Sequence, residues 1–233
     1  DLMRIRLPGL LLLFWCSLAL GQHTDLSTYD AYFQALKELE HQEALSHLER
    51  IDAPKYTQPL EVFAQLTYEG FSGNSKRYQA DCVVRTSDDP FLNAVYQLNT
   101  GYYKFYFLQD RTAAYPHFYS ALESANETAY APLQRRALRA ILQYLHHEIA
   151  RNNNNYEVFL DQYQKLIADI HDQVYFQIYE VIFYSSEIDI KSVYHTKAAL
   201  LEGLIAQLEP DCKLLPKLYL EVALFYELRE QYD

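Results

Sequence analysis

His146-His147-Glu148, with His171 and Glu180 further along, is the densest run of potential metal ligands in the sequence. Adjacent residues on a helix point about 100° apart, so His146 and His147 cannot both face one ion easily. The H-E-x-x-H spacing of a helical zinc site is absent. Cys82 has no histidine or acid near it in a protease-like pattern, which leaves a buried structural thiol. No G-x-S-x-G elbow, phosphate-cradling loop or dinucleotide fingerprint occurs. The sequence therefore predicts no catalytic residue, no cofactor and no metal ligand set, and a chain that is not an enzyme. Asn126-Glu127-Thr128 is a glycosylation sequon by pattern. The 22 tyrosines, clustered at Tyr102, Tyr103 and Tyr106 and again at Tyr175, Tyr179 and Tyr184, are expected mostly to pack between helices. Any that remain would suit a binding surface.

Positioning such residues takes a core, and the composition supplies one. Half of the 233 residues are hydrophobic and 22% are charged, with only 6 glycines and 8 prolines. That palette forms helices and argues against global disorder. A formal charge of -11 speaks against nucleic acid or an anionic membrane as partners through bulk electrostatics.

Residues 1–21 read as a secretory signal peptide. Arg4 and Arg6 precede an apolar run from Leu10 to Leu20, and Ala19-Leu20-Gly21 forms a small-x-small site with cleavage expected before Gln22. The run is short for a bilayer span, and an uncleaved anchor is the main alternative. Phe14 and Trp15 are too bulky for lipoprotein processing at Cys16. Asp1, Arg4 and Arg6 together carry +1, so the part from residue 22 onward stands near -12 against -11 for the whole. It keeps Cys82 and Cys212, which are expected to be separate buried thiols.

From residue 22 to 233 the apolar spacing predicts helices over about 28–39, 42–52, 58–70, 74–85, 90–108, 111–125, 130–151, 156–169, 172–186, 190–208 and 214–230, with no strand. Ser27 to Asp30 has capping-box spacing. Thr57 before Pro59, and Asp88 or Asp89 before Pro90, look like caps with proline in the first turn. Asn152 to Asn155 reads as a solvated turn. The second helix of each presumed pair begins at intervals of roughly 32 to 45 residues, the range of helical-hairpin repeats, which bury their apolar faces only by stacking.

On these residues the chain resembles the tetratricopeptide repeat family. Tyr219, Val222, Ala223 and Tyr226 fall at the W, L, G and Y positions of its first helix. Ala114, Phe118 and Ala121 fit the A-x3-F-x2-A of its second helix, and Ala44, Leu48 and Ile51 fit it loosely. Tyr32 and Tyr102 stand where that family has a small residue. The resemblance implies an all-α fold, a right-handed α-solenoid of antiparallel helix hairpins. Tyr232-Asp233 looks like the turn into a second helix, so the solenoid is expected to be truncated inside its last repeat. The resemblance also implies an exported, non-catalytic, protein-binding scaffold or sensory module, with a protein or peptide ligand on the concave face. Membrane contact would come only through the signal peptide or a segment beyond residue 233. The alternatives are the periplasmic sensor half of a transmembrane transcriptional regulator or kinase, and the accessory arm of an enzyme whose catalytic domain lies further on.

Overall fold

Asp89-Pro90 shows how the chain starts a helix. The Asp89 carboxylate accepts the Leu92 N–H at 3.2 Å, and Pro90 takes the first helical position, where its missing N–H costs nothing. Asp110 caps the next helix through the Ala113 N–H at 3.0 Å. By such means the computed structural model forms ten α-helices among the residues it describes, which are 25–72, 85–148, 155–184 and 190–230. They are α1 Asp30–Lys37, α2 His41–Glu49, α3 Pro54–Ser72, α4 Pro90–Tyr102, α5 Arg111–Thr128, α6 Ala131–Glu148, α7 Tyr156–Gln164, α8 Ile170–Tyr184, α9 Ile190–Ile205 and α10 Leu215–Glu230. No strand occurs among the described residues, so the fold is all-α. The signal segment 1–21, Cys82, residues 74–84 of the helix expected over 74–85, Asn152 to Asn154 and Tyr232-Asp233 lie outside the described residues, as do the side chains of His146, His147, Glu148 and Tyr184.

Two expected caps are replaced. Asp25 accepts the Ser27 N–H at 3.1 Å ahead of a 3-10 turn over Leu26–Tyr29, while α1 itself begins after Tyr29 with no side-chain cap. The capping box from Ser27 to Asp30 does not form, because the 3-10 turn occupies its place. Helix α3 starts at Pro54, not after Thr57, and Thr57 Oγ1 donates to the Ala53 carbonyl at 3.1 Å. Pro59 then sits inside α3. An interior proline costs a helix roughly 3 kcal/mol, and the fully buried Leu60 and Phe63 that follow it offset this.

The helix expected over 90–108 is also interrupted. A π-turn over Tyr103–Phe107 follows α4, adding a residue to the helical register. The residue at the close α4–α5 approach is Gly101, one place before Tyr102: a Cβ there would lie 2.4 Å from the Phe118 ring.

Each helix packs on the next from α1 to α10. Helix α4 also touches α6, α6 touches α8, and α1 reaches across to α6. One continuous apolar core runs through the stack, from Tyr29 to Phe225. Tyrosines fill much of it: Tyr29, Tyr32, Tyr156, Tyr163 and Tyr175 are each at most 1% exposed. Buried phenols need partners, and Tyr32 donates to the Leu60 carbonyl at 2.6 Å while Tyr156 donates to that of Tyr179 at 3.0 Å. Among the described residues no helix is long and apolar enough to cross a membrane.

Candidate functional site

Helix α6 carries Arg136, Arg139 and Gln143 at steps of three and four residues, which aligns them on one side. Leu133, Ala137, Ala140 and Ile141 bury the adjoining side in the core. The arginines are thereby drawn inward, with Arg136 6% and Arg139 9% exposed. Arg136 lies over the Phe63 ring at 5.3 Å and donates to Thr67 Oγ1 at 3.0 Å. Arg139 sits 3.3 Å from the Tyr175 ring centre, and Lys217 of α10 lies over the same ring at 5.1 Å. The Nε of each arginine is buried without a hydrogen-bond partner.

Next to this cluster α1 is tied to the start of α8. Lys37 Nζ is 2.5 Å from Asp169 and 3.3 Å from Asp172, and Arg135 Nε is 3.3 Å from the same Asp172 oxygen. Asp172 is 1% exposed and also accepts the Ala168 N–H at 3.2 Å. Asp169 caps α8 through the Asp172 N–H at 3.0 Å. Burial would raise the Asp169 carboxyl, but the bonds from Lys37 and from the Asp172 N–H outweigh it and hold the group below its usual range. Tyr130 donates to Asp30 at 2.7 Å, and Lys213, ahead of α10, pairs with Glu40.

Two cavities meet at the arginines. A groove of about 660 Å³ runs beside α1, lined by Phe33, Lys37, Tyr130 and Arg135 among others. A smaller cavity of about 60 Å³ lies on the α10 side, bounded by Gln143, Tyr175, Tyr179 and Lys217. Arg136 and Arg139 line both. Burial works against ionising Tyr175, yet the pull of Arg139, then Lys217 and Arg136, brings its hydroxyl below the ordinary phenol value. Tyr179, where burial dominates, is pushed up to about 12. Burial foremost, with repulsion from the two arginines, lowers the Lys217 ammonium.

The residues singled out in the sequence stand elsewhere. Ala44, Leu48, Ala114, Phe118 and Ala121 are buried between helices, and Ile51 is half-buried against the same core. Phe118 meets Tyr102 edge-on at 5.2 Å. On α10, Val222 is buried and Tyr226 half-buried with its hydroxyl donating to Glu202 at 2.9 Å. Tyr219 is 57% exposed, and Ala223 is exposed beside it. Leu218, Val222 and Phe225 form the buried side of α10, so of the four motif positions there only Val222 is buried. His171 faces Glu38 at 3.8 Å, and Cys212 is half-buried as a free thiol. Among the described residues, no three histidine, cysteine, aspartate or glutamate side chains converge as metal ligands. The arginine cluster was not visible from metal or nucleophile spacing. Its trace in the sequence is Arg136 and Arg139 set within the apolar period of α6, where a solvated arginine does not belong. No protein family, curated protein or solved structure matches this chain.

Proposed function

We propose that the chain is an exported, non-catalytic protein-binding scaffold or sensory module, built as a right-handed, tetratricopeptide-like α-solenoid with its ligand on the concave side. Neighbour-by-neighbour packing of the helices, with α4, α6 and α8 also touching in alternation, supports stacked hairpins. The observation that carries the binding reading is the groove beside α1. Four cationic side chains, Lys37, Arg135, Arg136 and Arg139, line it against two acidic ones, Asp30 and Asp172, in a chain whose net charge is -11. Phe33 and Tyr130 add apolar surface to the same wall. A concave site with apolar walls and a few convergent charges suits an acidic peptide segment, and the local positive field would concentrate it.

Selection from a random peptide display library tests this. Acidic peptides are expected to bind saturably and to weaken at least about ten-fold when exposed Ala31, on the groove wall, becomes Trp. Peptides that bind Ala31→Trp as well as the parent chain would sink the groove assignment. Export is tested by mass spectrometry of the secreted protein, whose N-terminus is expected at Gln22. A soluble protein that retains Met3 would refute it.

A further inference from the structure

We propose that the smaller cavity binds a small tetrahedral oxyanion of the phosphate or sulfate class, held by Arg136 and Arg139 of α6 and charge-balanced by Lys217 of α10. The proposal stands apart from peptide binding, because Lys217 and Tyr175 line this cavity and not the groove beside α1.

Charge is the first argument. Three cations surround the cavity, and no carboxylate among the described residues reaches ion-pair distance of any of them. The nearby Asp172 is already engaged by Lys37 and Arg135. Glu221, one turn on from Lys217, acts on it only through its field. Buried cations are ordinarily paired, and leaving three together unpaired is costly. A dianion offsets two of the three charges, where a carboxylate would offset one.

Unused donors are the second argument. Both arginines are at least nine-tenths buried, both line the cavity, and the Nε–H of each is buried without a hydrogen-bond partner. Aromatic faces hold the guanidinium groups from Phe63, Tyr102 and Tyr175, and Thr67 Oγ1 on Arg136 and the Tyr175 and Tyr179 hydroxyls on Arg139 take some of their hydrogens, which fixes the groups and leaves the Nε–H of each unsatisfied. Rigid, forked donors of this kind suit tetrahedral oxyanions. The third argument is size. About 60 Å³ of space admits a compact ion and no folded peptide. The lowered Tyr175 hydroxyl reports the same excess of positive field.

Isothermal titration of the full chain with inorganic phosphate, and separately with sulfate, tests the site against sodium chloride at equal ionic strength. Saturable binding of one ion per chain is expected, with a melting temperature that climbs with the logarithm of phosphate concentration. Arg136→Gln and Arg139→Gln should each weaken binding about ten-fold or more, the loss of one charge-assisted contact. If either fails to fold, Lys217→Gln serves, since Lys217 is half-buried, and it should weaken phosphate while sparing peptides selected on the groove. Phosphoserine is run in parallel. Tighter binding of free phosphate supports an enclosed ion, and equal binding of phosphoserine supports an oxyanion carried on a larger molecule. Neither phosphate nor sulfate nor phosphoserine binding beyond chloride overturns the site, as does a folded Lys217→Gln variant that binds phosphate like the parent.

Discussion

Gly101 and Gly203 both lie in helices, yet their replacement by alanine should move stability in opposite directions. Alanine gains about 1 kcal/mol over glycine in a helix interior from backbone entropy alone. At Gly203 in α9 nothing lies within 4 Å of the new methyl, so Gly203→Ala should stabilise by about 0.5–1 kcal/mol. At Gly101 the methyl would meet two Phe118 ring carbons at 2.4 and 2.5 Å. That ring would have to retreat by roughly 1 Å to reach ordinary contact. It cannot do so freely, being 1% exposed and pressed on Tyr102 at 5.2 Å and Phe105 at 6.2 Å. Overpacking a closed site costs about 1–3 kcal/mol, more where neighbours are rigid, so the steric term wins and Gly101→Ala should destabilise by about 1–2 kcal/mol net. In a chain of this size each kcal/mol shifts the melting temperature by about 2–4 °C. Thermal melts followed by far-ultraviolet circular dichroism should therefore show Gly101→Ala falling by about 2–8 °C and Gly203→Ala rising by about 1–4 °C. Shortening the opposing ring with Phe118→Leu should make the two changes strongly non-additive, since they share one contact. If both alanine variants shift the same way, the close approach of α4 and α5 is not what positions Phe118, and the packing described for that hairpin is wrong.

Three further outcomes follow from the same geometry. Asp172→Asn removes the ion-pair partner of Arg135, leaving its bond to the Leu166 carbonyl, and half the pairing of Lys37, and should cost about 3–5 kcal/mol in urea unfolding, whereas Lys55→Ala, which breaks the exposed pair with Asp89, should cost about 0–1 kcal/mol. Ala129 closes α5 in the left-handed region at φ 53°, so Ala129→Gly should raise stability by about 1 kcal/mol; an unchanged melt would contradict that strain. Burial lowers the pKa of both His41 and His117, so each takes up its proton at lower pH when folded than in the unfolded chain, which does so below about pH 6.5. Stability is then fully present above that pH and declines as pH falls toward the folded values, and His117→Gln should flatten the slope below about pH 6.5 in chemical denaturation.

Sequence patterns reached the elements more surely than their ends. Period and composition place the starts of α4 through α10 within about two residues, since their apolar stripes are long and several breaks are marked, by Asp89-Pro90, Asp110 or Pro132, while α7 stops at Gln164, short of the expected 169. They misplace the starts of α1, where Asp25 caps a 3-10 turn ahead of the helix, and of α3, which begins at Pro54 ahead of Thr57. The π-turn after α4 leaves no periodic trace, and the close approach of that hairpin falls at Gly101, one place before Tyr102. The arginine cluster was the least legible. The period of α6 hints that Arg136 and Arg139 turn inward, but nothing along that helix shows that Lys217, some eighty positions on, shares the Tyr175 ring with Arg139. Spacing along one helix cannot report a contact between three.

The tie between Lys37 and its two aspartates has a bearing on the order in which the protein is made. Its partners lie 132 and 135 residues later in the chain. At synthesis rates of about 5–20 residues per second, α1 exists for roughly 7 to 27 seconds before Asp169 and Asp172 have even been joined to the growing polypeptide. During that interval α1 and α2 hold Lys37 and Phe33 toward a surface that has not yet been built. The α1–α2 hairpin is thus not tied down until α8 has been made, and a premature stop before α8 would leave this cationic and aromatic surface permanently uncovered.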